Sequence, residues 1–318
     1  MNRCAASLAL LTIAVAPALG AQPASSIAAR VGSAPDGEVR LAYASRPDAC
    51  GDGKGMINLG NRHGVNVSSD SYGTWSRFNC VHGPARVALT VRDHQVVAVR
   101  TRIGGTWPTG STALDLGVVP AREAAAYFLT LAPKFSESSG HSPLFAAVLA
   151  DSADIAPDLL QLARDGSRSA VSALAMIDDD AGLAALMELA RQGNESVRKS
   201  AVFWLGQSDE PRALALVRTV IDDEHETIAV RKSAIFALGQ SNAPVADLVS
   251  MYGRLGEPKL REHLIFVLAQ RDEDAAVNAL MNIARTDESR PMRGKALFWL
   301  AQKDDPRVAK LIAEIVSR

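Results

Sequence analysis

Two sets of residues in this sequence could do chemistry. The first is a row of four arginines, Arg198, Arg231, Arg261 and Arg293, spaced by 33, 30 and 32 residues. A guanidinium is a rigid fork of donors suited to carboxylates and carbonyl oxygens, so arginines at one height in successive units would suit an extended partner segment. Phe203, Phe236, Phe266 and Phe298 stand five residues after these arginines, and Gln207, Gln240, Gln270 and Gln302 stand nine after them. The simpler role for the rings is to fill the layer between adjacent units. The functional one is a row of rings and arginines along an inner groove, and the glutamines either hydrogen-bond the turns or face that groove. The second set is Cys50 and Cys80. They form an even pair once Cys4, within the N-terminal stretch that reads as a signal peptide, is set aside, and in an exported chain that pair predicts one disulfide.

Catalytic patterns are missing. The histidines at 63, 82, 94, 141, 225 and 263 are scattered, with no H-x-x-x-H and no C-x-x-C for a metal. There is no G-x-S-x-G elbow. Cys50–Gly55, CGDGKG, lacks the glycine and the Ser/Thr that a phosphate loop places around its Gly-Lys pair. Asp178-Asp179-Asp180 and Asp222-Asp223-Glu224 lack the oxygen spacing of a calcium loop and read as solvated turns. The expectation is no catalytic residue, no metal and no cofactor.

The arginines sit in a repeating stretch. Val197–Gln207 reads VRKSAVFWLGQ, and it returns as VRKSAIFALGQ at Val230–Gln240, LREHLIFVLAQ at Leu260–Gln270 and MRGKALFWLAQ at Met292–Gln302. A period of this length signals stacked helical units. Each unit adds a preceding helix, such as Arg212–Ile221 or Ala276–Ala284, and an acidic turn. Asp305 followed by Pro306 predicts an N-cap and a first helical residue. Ser167–Met176 continues the pattern backwards and Pro143–Ala163 reads as a further, degenerate pair, for about five and a half to six units in all.

The stretch before the repeats has another texture. Residues 1–20 read as a signal peptide, with an apolar run over Ala5–Ala16 and small residues before Ala21. Ala21–Asp36 reads as a loose leader. Glu38–Ala44 and Met56–Leu59 read as strands, Asn61–Gly73 as a loop, and Trp75 as a ring packed near the disulfide. Ala85–Gly105 predicts a β-hairpin that buries Val87, Leu89, Val91, Val97, Val99 and Ile103 and carries arginines on its other face. That arginine face could take an anion; the plainer reading is a solvated face. The sequence thus divides into a signal peptide (1–20), a small β-rich domain (21–119), a helical linker (120–142) and an α-solenoid (143–318), a mostly α chain led by a disulfide-linked β domain.

The V-R-x-x-A-x-x-x-L-G motif, clear at Val197–Gly206 and Val230–Gly239 and degenerate at Leu260–Ala269 and Met292–Ala301, resembles the HEAT repeats, and in particular the short HEAT-like repeats of bacterial proteins. In that family an aspartate before the motif pairs with its arginine to build a ladder. Here Glu195, Glu226, Glu257 and Asp287 precede their arginines by three to six residues. The resemblance covers about Pro143–Arg318. The first part is similar to a small exported domain that precedes such repeats in some bacterial envelope proteins.

Charge bounds the partner. The whole chain carries a formal net charge of −1. Residues 21–142 hold 12 basic and 9 acidic side chains, net +3, and residues 143–318 hold 21 and 26, net −5. An acidic array argues against a nucleic-acid groove. The expected function is a non-enzymatic scaffold of the bacterial envelope, periplasmic or secreted, that binds a protein or peptide and has no transmembrane anchor once the signal is cleaved. Two alternatives are a lyase, since some HEAT-like proteins resemble phycobilin lyases, and a structural or regulatory module that recognises through its N-terminal sheet.

Overall fold

The computed structural model describes residues 26–59, 66–68, 79–107, 112–135, 142–150, 154–177 and 180–316. The expected signal peptide and Trp75 lie outside the described residues.

The chain opens with a short helix, α1 (Ile27–Gly32), where a loose leader was expected. Ser26 caps it, and Ile27 and Val31, one turn apart, are buried. The Glu123 carboxylate accepts from the Ile27 amide at 3.0 Å. A partner 96 residues away fixes this helix, so local sequence could not announce it.

Strand β1 (Gly37–Tyr43) leads to a three-stranded sheet of β2 (Ala49–Gly51), β3 (Met56–Leu59) and β4 (Asn66–Ser68), the last inside the segment expected to be loop. The predicted hairpin follows as β5 (Ala85–Arg92) and β6 (Gln95–Ile103), and β7 (Leu114–Val118) completes a four-stranded sheet of order β6-β5-β1-β7. β7 runs parallel to β1 and the other pairs are antiparallel. Asp93 and His94 hold φ of 49° and 60°, the left-handed pair that a two-residue hairpin turn needs. Cys50 and Cys80 form the expected disulfide, with Cα atoms 5.3 Å apart.

One hairpin side chain is not where alternation places it. Val97 is 50% exposed, while Val87, Leu89, Val91, Val99 and Ile103 are buried as expected. The register shifts between Thr90 and Val91, so Ala98 faces Thr90 but Val96 faces Val91. The extra residue in this bulge is Val97, and a one-residue slip turns a side chain to the other face.

The inner face of the four-stranded sheet packs on α1 and on α2 (Ala121–Leu131), whose Ala124, Phe128 and Leu131 are buried. Helix α2, in the segment expected to be a linker, therefore contributes core. Tyr43 is fully buried 5.9 Å from the Phe128 ring and donates to the Ala146 carbonyl at 2.5 Å. Ala146 belongs to α3 (Pro143–Val148), which packs mainly on α2. Burial pushes the Tyr43 hydroxyl well above the usual tyrosine range.

The repeats follow as helix pairs. α4 (Ala156–Arg164) pairs with α5 (Arg168–Ala175), so Pro143–Ala163 is not itself a repeat: α3 belongs to the sheet side and α4 pairs forward. Then come α6 (Asp180–Gln192) with α7 (Glu195–Gly206), α8 (Pro211–Asp222) with α9 (Ile228–Gln240), α10 (Val245–Arg254) with α11 (Pro258–Ala269), α12 (Asp274–Thr286) with α13 (Arg290–Leu300), and a single α14 (Pro306–Val316). The Asp305 carboxylate accepts from the Arg307 amide at 2.9 Å at the start of α14, as the Asp-Pro pair predicted.

Second helices stack on second helices, and the motif glycine explains how closely. A Cβ on Gly206 would lie 2.4 Å from the Ala237 Cβ, and one on Gly239 would lie 2.1 Å from a Val267 methyl. First helices stack through exposed ion pairs one unit apart, Arg164 with Glu188, Arg218 with Asp247 and Arg285 with Glu314. Exposed pairs contribute at most about 1 kcal/mol each. The array is held chiefly by the apolar layer between its helices.

Candidate interaction face on the second helices

Three of the four recurrent arginines reach the end of the first helix of their own unit or the turn that follows it. Arg198 donates to the Gly193 carbonyl at 2.7 Å, Arg231 to the Ile221 carbonyl at 2.8 Å and Arg293 to the Asp287 carbonyl at 2.6 Å. These carbonyls lie at or just past the ends of first helices, where unpaired oxygens and the negative end of the helix dipole favour a cation. Arg261 instead lies over the Tyr252 ring at 4.6 Å and binds the Asp287 carboxylate.

The acids before the motif complete a ladder, reaching backwards by one unit. Glu226 holds Arg198 through two bonds of 2.8 Å, and Asp287 holds Arg261. Burial acts to raise the Glu226 pKa, but hydrogen bonds from Arg198 and the Thr227 amide outweigh it and hold that carboxyl below its ordinary value. Glu257 instead caps its own helix, accepting from the Lys259 amide at 3.3 Å.

The rings stand on the other side of the same helices. At about 100° per residue, positions three, four and seven after the arginine share its side, while the fifth and ninth lie roughly opposite. Accordingly Ala201, Val202 and Leu205, with Ala234, Ile235, Leu238, Leu264, Ile265 and Leu268, fill the layer between units. Phe203, Phe236 and Phe266 are half-buried, and Phe298 is 59% exposed. Phe236 and Phe266 pack against the buried core from its edge, so the rings cover the rim of the layer while the smaller side chains fill its centre. An arginine and a phenylalanine five residues apart cannot share one face of a helix, a constraint the sequence already contained.

The rings touch across units. Phe203 and Phe236 stack with centroids 6.4 Å apart, and Phe266 meets Trp299 at 5.2 Å. Trp204 and Phe298 extend these two groups, each 5.2–5.3 Å from its neighbour. Trp204 is anchored by its indole N–H, which donates to Ser172 Oγ at 3.1 Å. His263 packs 5.7 Å from Phe266, and its Nε2 is buried without a hydrogen-bond partner. Burial and the charge of Lys232 push its pKa down, against the opposing effect of a hydrogen bond with the Lys232 backbone.

Polar groups flank the rings. Lys199 and Lys232 follow their arginines directly, and Lys295 pairs with Glu262 at 2.7 Å. Gln240, Gln270 and Gln302 are exposed and Gln207 is half-buried; Gln302 Nε2 donates to the Phe298 carbonyl at 3.3 Å. Beside Trp299, the seam between α11, α12 and α13 opens into a cavity of about 470 Å³ lined by Gln270, Gln302 and four aspartates, Asp272, Asp274, Asp304 and Asp305. The corresponding seam beside Trp204 is closed to about 10 Å³ by Leu174, Ile177, Leu183 and Leu186.

Among the described residues no three or more His, Cys, Asp and Glu side chains group as metal ligands. Nor, among them, is any helix long and apolar enough to cross a membrane.

Residues 184–254 match the family described as HEAT repeats. No curated protein matches the chain. Among solved structures, the chain is similar to the CpcE–CpcF complex of phycocyanin lyase from Nostoc sp. PCC7120, at 18% identity over 50% of this chain and 96% of that one, with a TM-score of 0.25. It is similar to the Mot1 N-terminal domain in complex with TBP, at 16% identity over 62% of this chain and 28% of that one, with a TM-score of 0.31. It is also similar to human deoxyhypusine hydroxylase in complex with glycerol, at 20% identity over 61% and 83%, with a TM-score of 0.25. At these scores neither the shape of the array nor the activity of the matched proteins transfers to this chain.

Proposed function

We propose that this chain, an array of HEAT repeats led by a disulfide-closed sheet module, is a non-enzymatic scaffold of the bacterial envelope that binds a segment of another protein on the ring-bearing face of its second helices. The observation that carries this reading is the row Phe203, Phe236, Phe266 and Phe298, which recurs in four successive units and keeps part of each ring at the surface, most of all Phe298, while smaller side chains fill the layer beneath. Aromatic side chains on a surface are the usual anchors of protein interfaces, and flanking lysines and glutamines supply a polar rim. The recurrent arginines act as internal braces that hold each helix pair at the angle the row needs. Export is supported by the apolar run before Ala21 and by the Cys50–Cys80 bridge, which persists in oxidising compartments.

The test is recovery of a partner from a periplasmic extract on immobilised mature protein, compared with Phe298→Ala and Phe203→Ala. Phe298 is mostly exposed, so its loss should move the melting temperature little, by less than about 0.5 kcal/mol of stability. Truncating an interface anchor costs roughly 2 kcal/mol, so recovery at limiting protein should fall about tenfold or more. Recovery unchanged in both variants, from protein of unchanged stability, would remove the ring face as the binding surface.

A further inference from the structure

The sheet module carries a second surface, unrelated to the ring row. On the outer face of the four-stranded sheet, Arg40 of β1 faces Ala88 of β5, which faces Arg100 of β6. In the next row Ala42 faces Arg86, which faces Arg102. Four guanidinium groups therefore sit in two adjacent rows, Arg40 only 8% exposed beneath the others, and among the described residues the carboxylates beside them on that face are Glu38 and Asp115. Glu38 binds both Arg40, at 2.6 Å, and Arg100, at 3.0 Å. Asp115 accepts from the Gly117 amide at 2.8 Å.

Trp107 holds this group in place. Its ring centroid lies 4.9 Å from the Arg40 guanidinium carbon and 4.7 Å from that of Arg102, so one ring shares two cations. Arg86 is aimed by a 3.0 Å bond from its Nε to the Gly105 carbonyl. Ala42 and Ala88 belong to this outer face yet are only 4% and 2% exposed, so side chains roof the face and it is not bare sheet. Among the described residues Arg102 has no carboxylate partner. Burial lowers its pKa, and the charges of Arg40, Arg100 and Arg86 add to that against the opposing pull of Glu38. Like charges gathered, oriented and under-neutralised in this way form a preorganised site for negative charge.

We propose that this face binds an extended acidic segment of another protein, with carboxylates at alternate positions seated on the two arginine rows. Spacing argues for a peptide. The rows are two residues apart along the strands, about 6.6–6.8 Å, which is also the repeat of side chains on one face of an extended chain. Guanidinium forks bind carboxylates bidentately, and their placement on rigid strands limits the entropy lost on binding. At the edge of the same face Val118, opposite Ala42, is 81% exposed and offers an apolar contact beside the charges.

The probe is a fluorescein-labelled peptide of four Glu-Thr repeats, followed by anisotropy against the full mature protein at low ionic strength. Binding should weaken at least tenfold between about 0.05 and 0.3 M salt, since the contacts are between charges at a surface. Arg86→Ala and Arg102→Ala should each raise Kd about tenfold, and Arg102→Lys, which keeps the charge and loses the fork, by less. A peptide with four glutamates followed by four threonines should bind several-fold more weakly. Phe298→Ala should bind the probe as the parent does, which separates this surface from the ring face. The proposal is overturned by no binding, by binding indifferent to Arg86 and Arg102, or by equal affinity for the two peptides. Full competition by inorganic phosphate at equimolar concentration would overturn it in favour of a compact oxyanion site. Arginine-dependent sedimentation with phosphatidylglycerol vesicles, without peptide binding, would overturn it in favour of a membrane surface.

Discussion

The two parts of this molecule hold together over different distances along the chain. In the sheet module, Ile27 is fixed by Glu123 across 96 residues and Tyr43 by Ala146 across 103. In the array, Arg198 meets Glu226 across 28 residues, Trp204 meets Ser172 across 32 and Ser233 meets the Lys199 carbonyl across 34. These three array contacts each reach one unit away, whereas Arg46 of the module reaches the Met176 carbonyl at the end of α5 across 130 residues. The module must therefore form as a whole, whereas the array adds stability unit by unit. The difference also separates the candidate surfaces. The array repeats one ring per unit and so offers a long row, while the module gathers unlike residues from three strands and a loop into one cationic patch.

Removing the disulfide tests the comparison most strongly. Cys50→Ser with Cys80→Ser opens a loop with a sequence separation of 30. It should cost roughly 3–4 kcal/mol on the chain-entropy account. Amide exchange should show the loss in β1, β5 and β6 while α11 and α13 keep their protection. Equal loss in both parts would mean that the two do not differ as described.

Within the array, breaking the Arg198–Glu226 pair should have the next largest effect, because only 20% and 11% of the two side chains are exposed. Glu226→Gln should cost about 1.5–3 kcal/mol, the range for hydrogen bonds to charged groups, and protection should fall mainly in α7 and α9. The pH dependence has a defined sign. The folded pKa lies below the ordinary glutamate value, so the contribution is complete above that value and is lost as pH falls through the depressed folded value. The stability gap between parent and variant, measured by urea unfolding, should close as pH drops below about 4. A gap that stays constant at acid pH would assign the effect to shape and not to charge.

The smallest effect concerns the close approach of second helices. Gly206→Ala gains about 1 kcal/mol of helix propensity but forces an overlap with the Ala237 side chain and backbone, at roughly 1–3 kcal/mol. A net loss of about 1 kcal/mol is expected. Gly253→Ala, in α10 with open space around it, should instead stabilise by up to about 1 kcal/mol. If both substitutions stabilise, the second helices are not held at contact distance.

The sequence alone determined the features whose physics is local or repeats. The array was legible because each unit must bury the same helix faces against the next, so VRKSAVFWLGQ and its copies carry the period on their surface. The hairpin was legible from alternation, and the bridge from two cysteines in a chain that reads as exported. Even the separation of arginines from rings follows from helix geometry alone. Tertiary structure decided what depends on residues far apart. It made α1 a helix and α2 core, since both bury their apolar sides on a sheet built elsewhere. It turned Val97 outward through a bulge, whose position depends on how two strands pair. It gave three of the recurrent arginines to helix ends, whose unpaired carbonyls lie in reach only once the unit has folded. And it laid Trp107 between Arg40 and Arg102, which meet on one face because β1 and β6 flank β5, an order set by long-range pairing that no local pattern encodes.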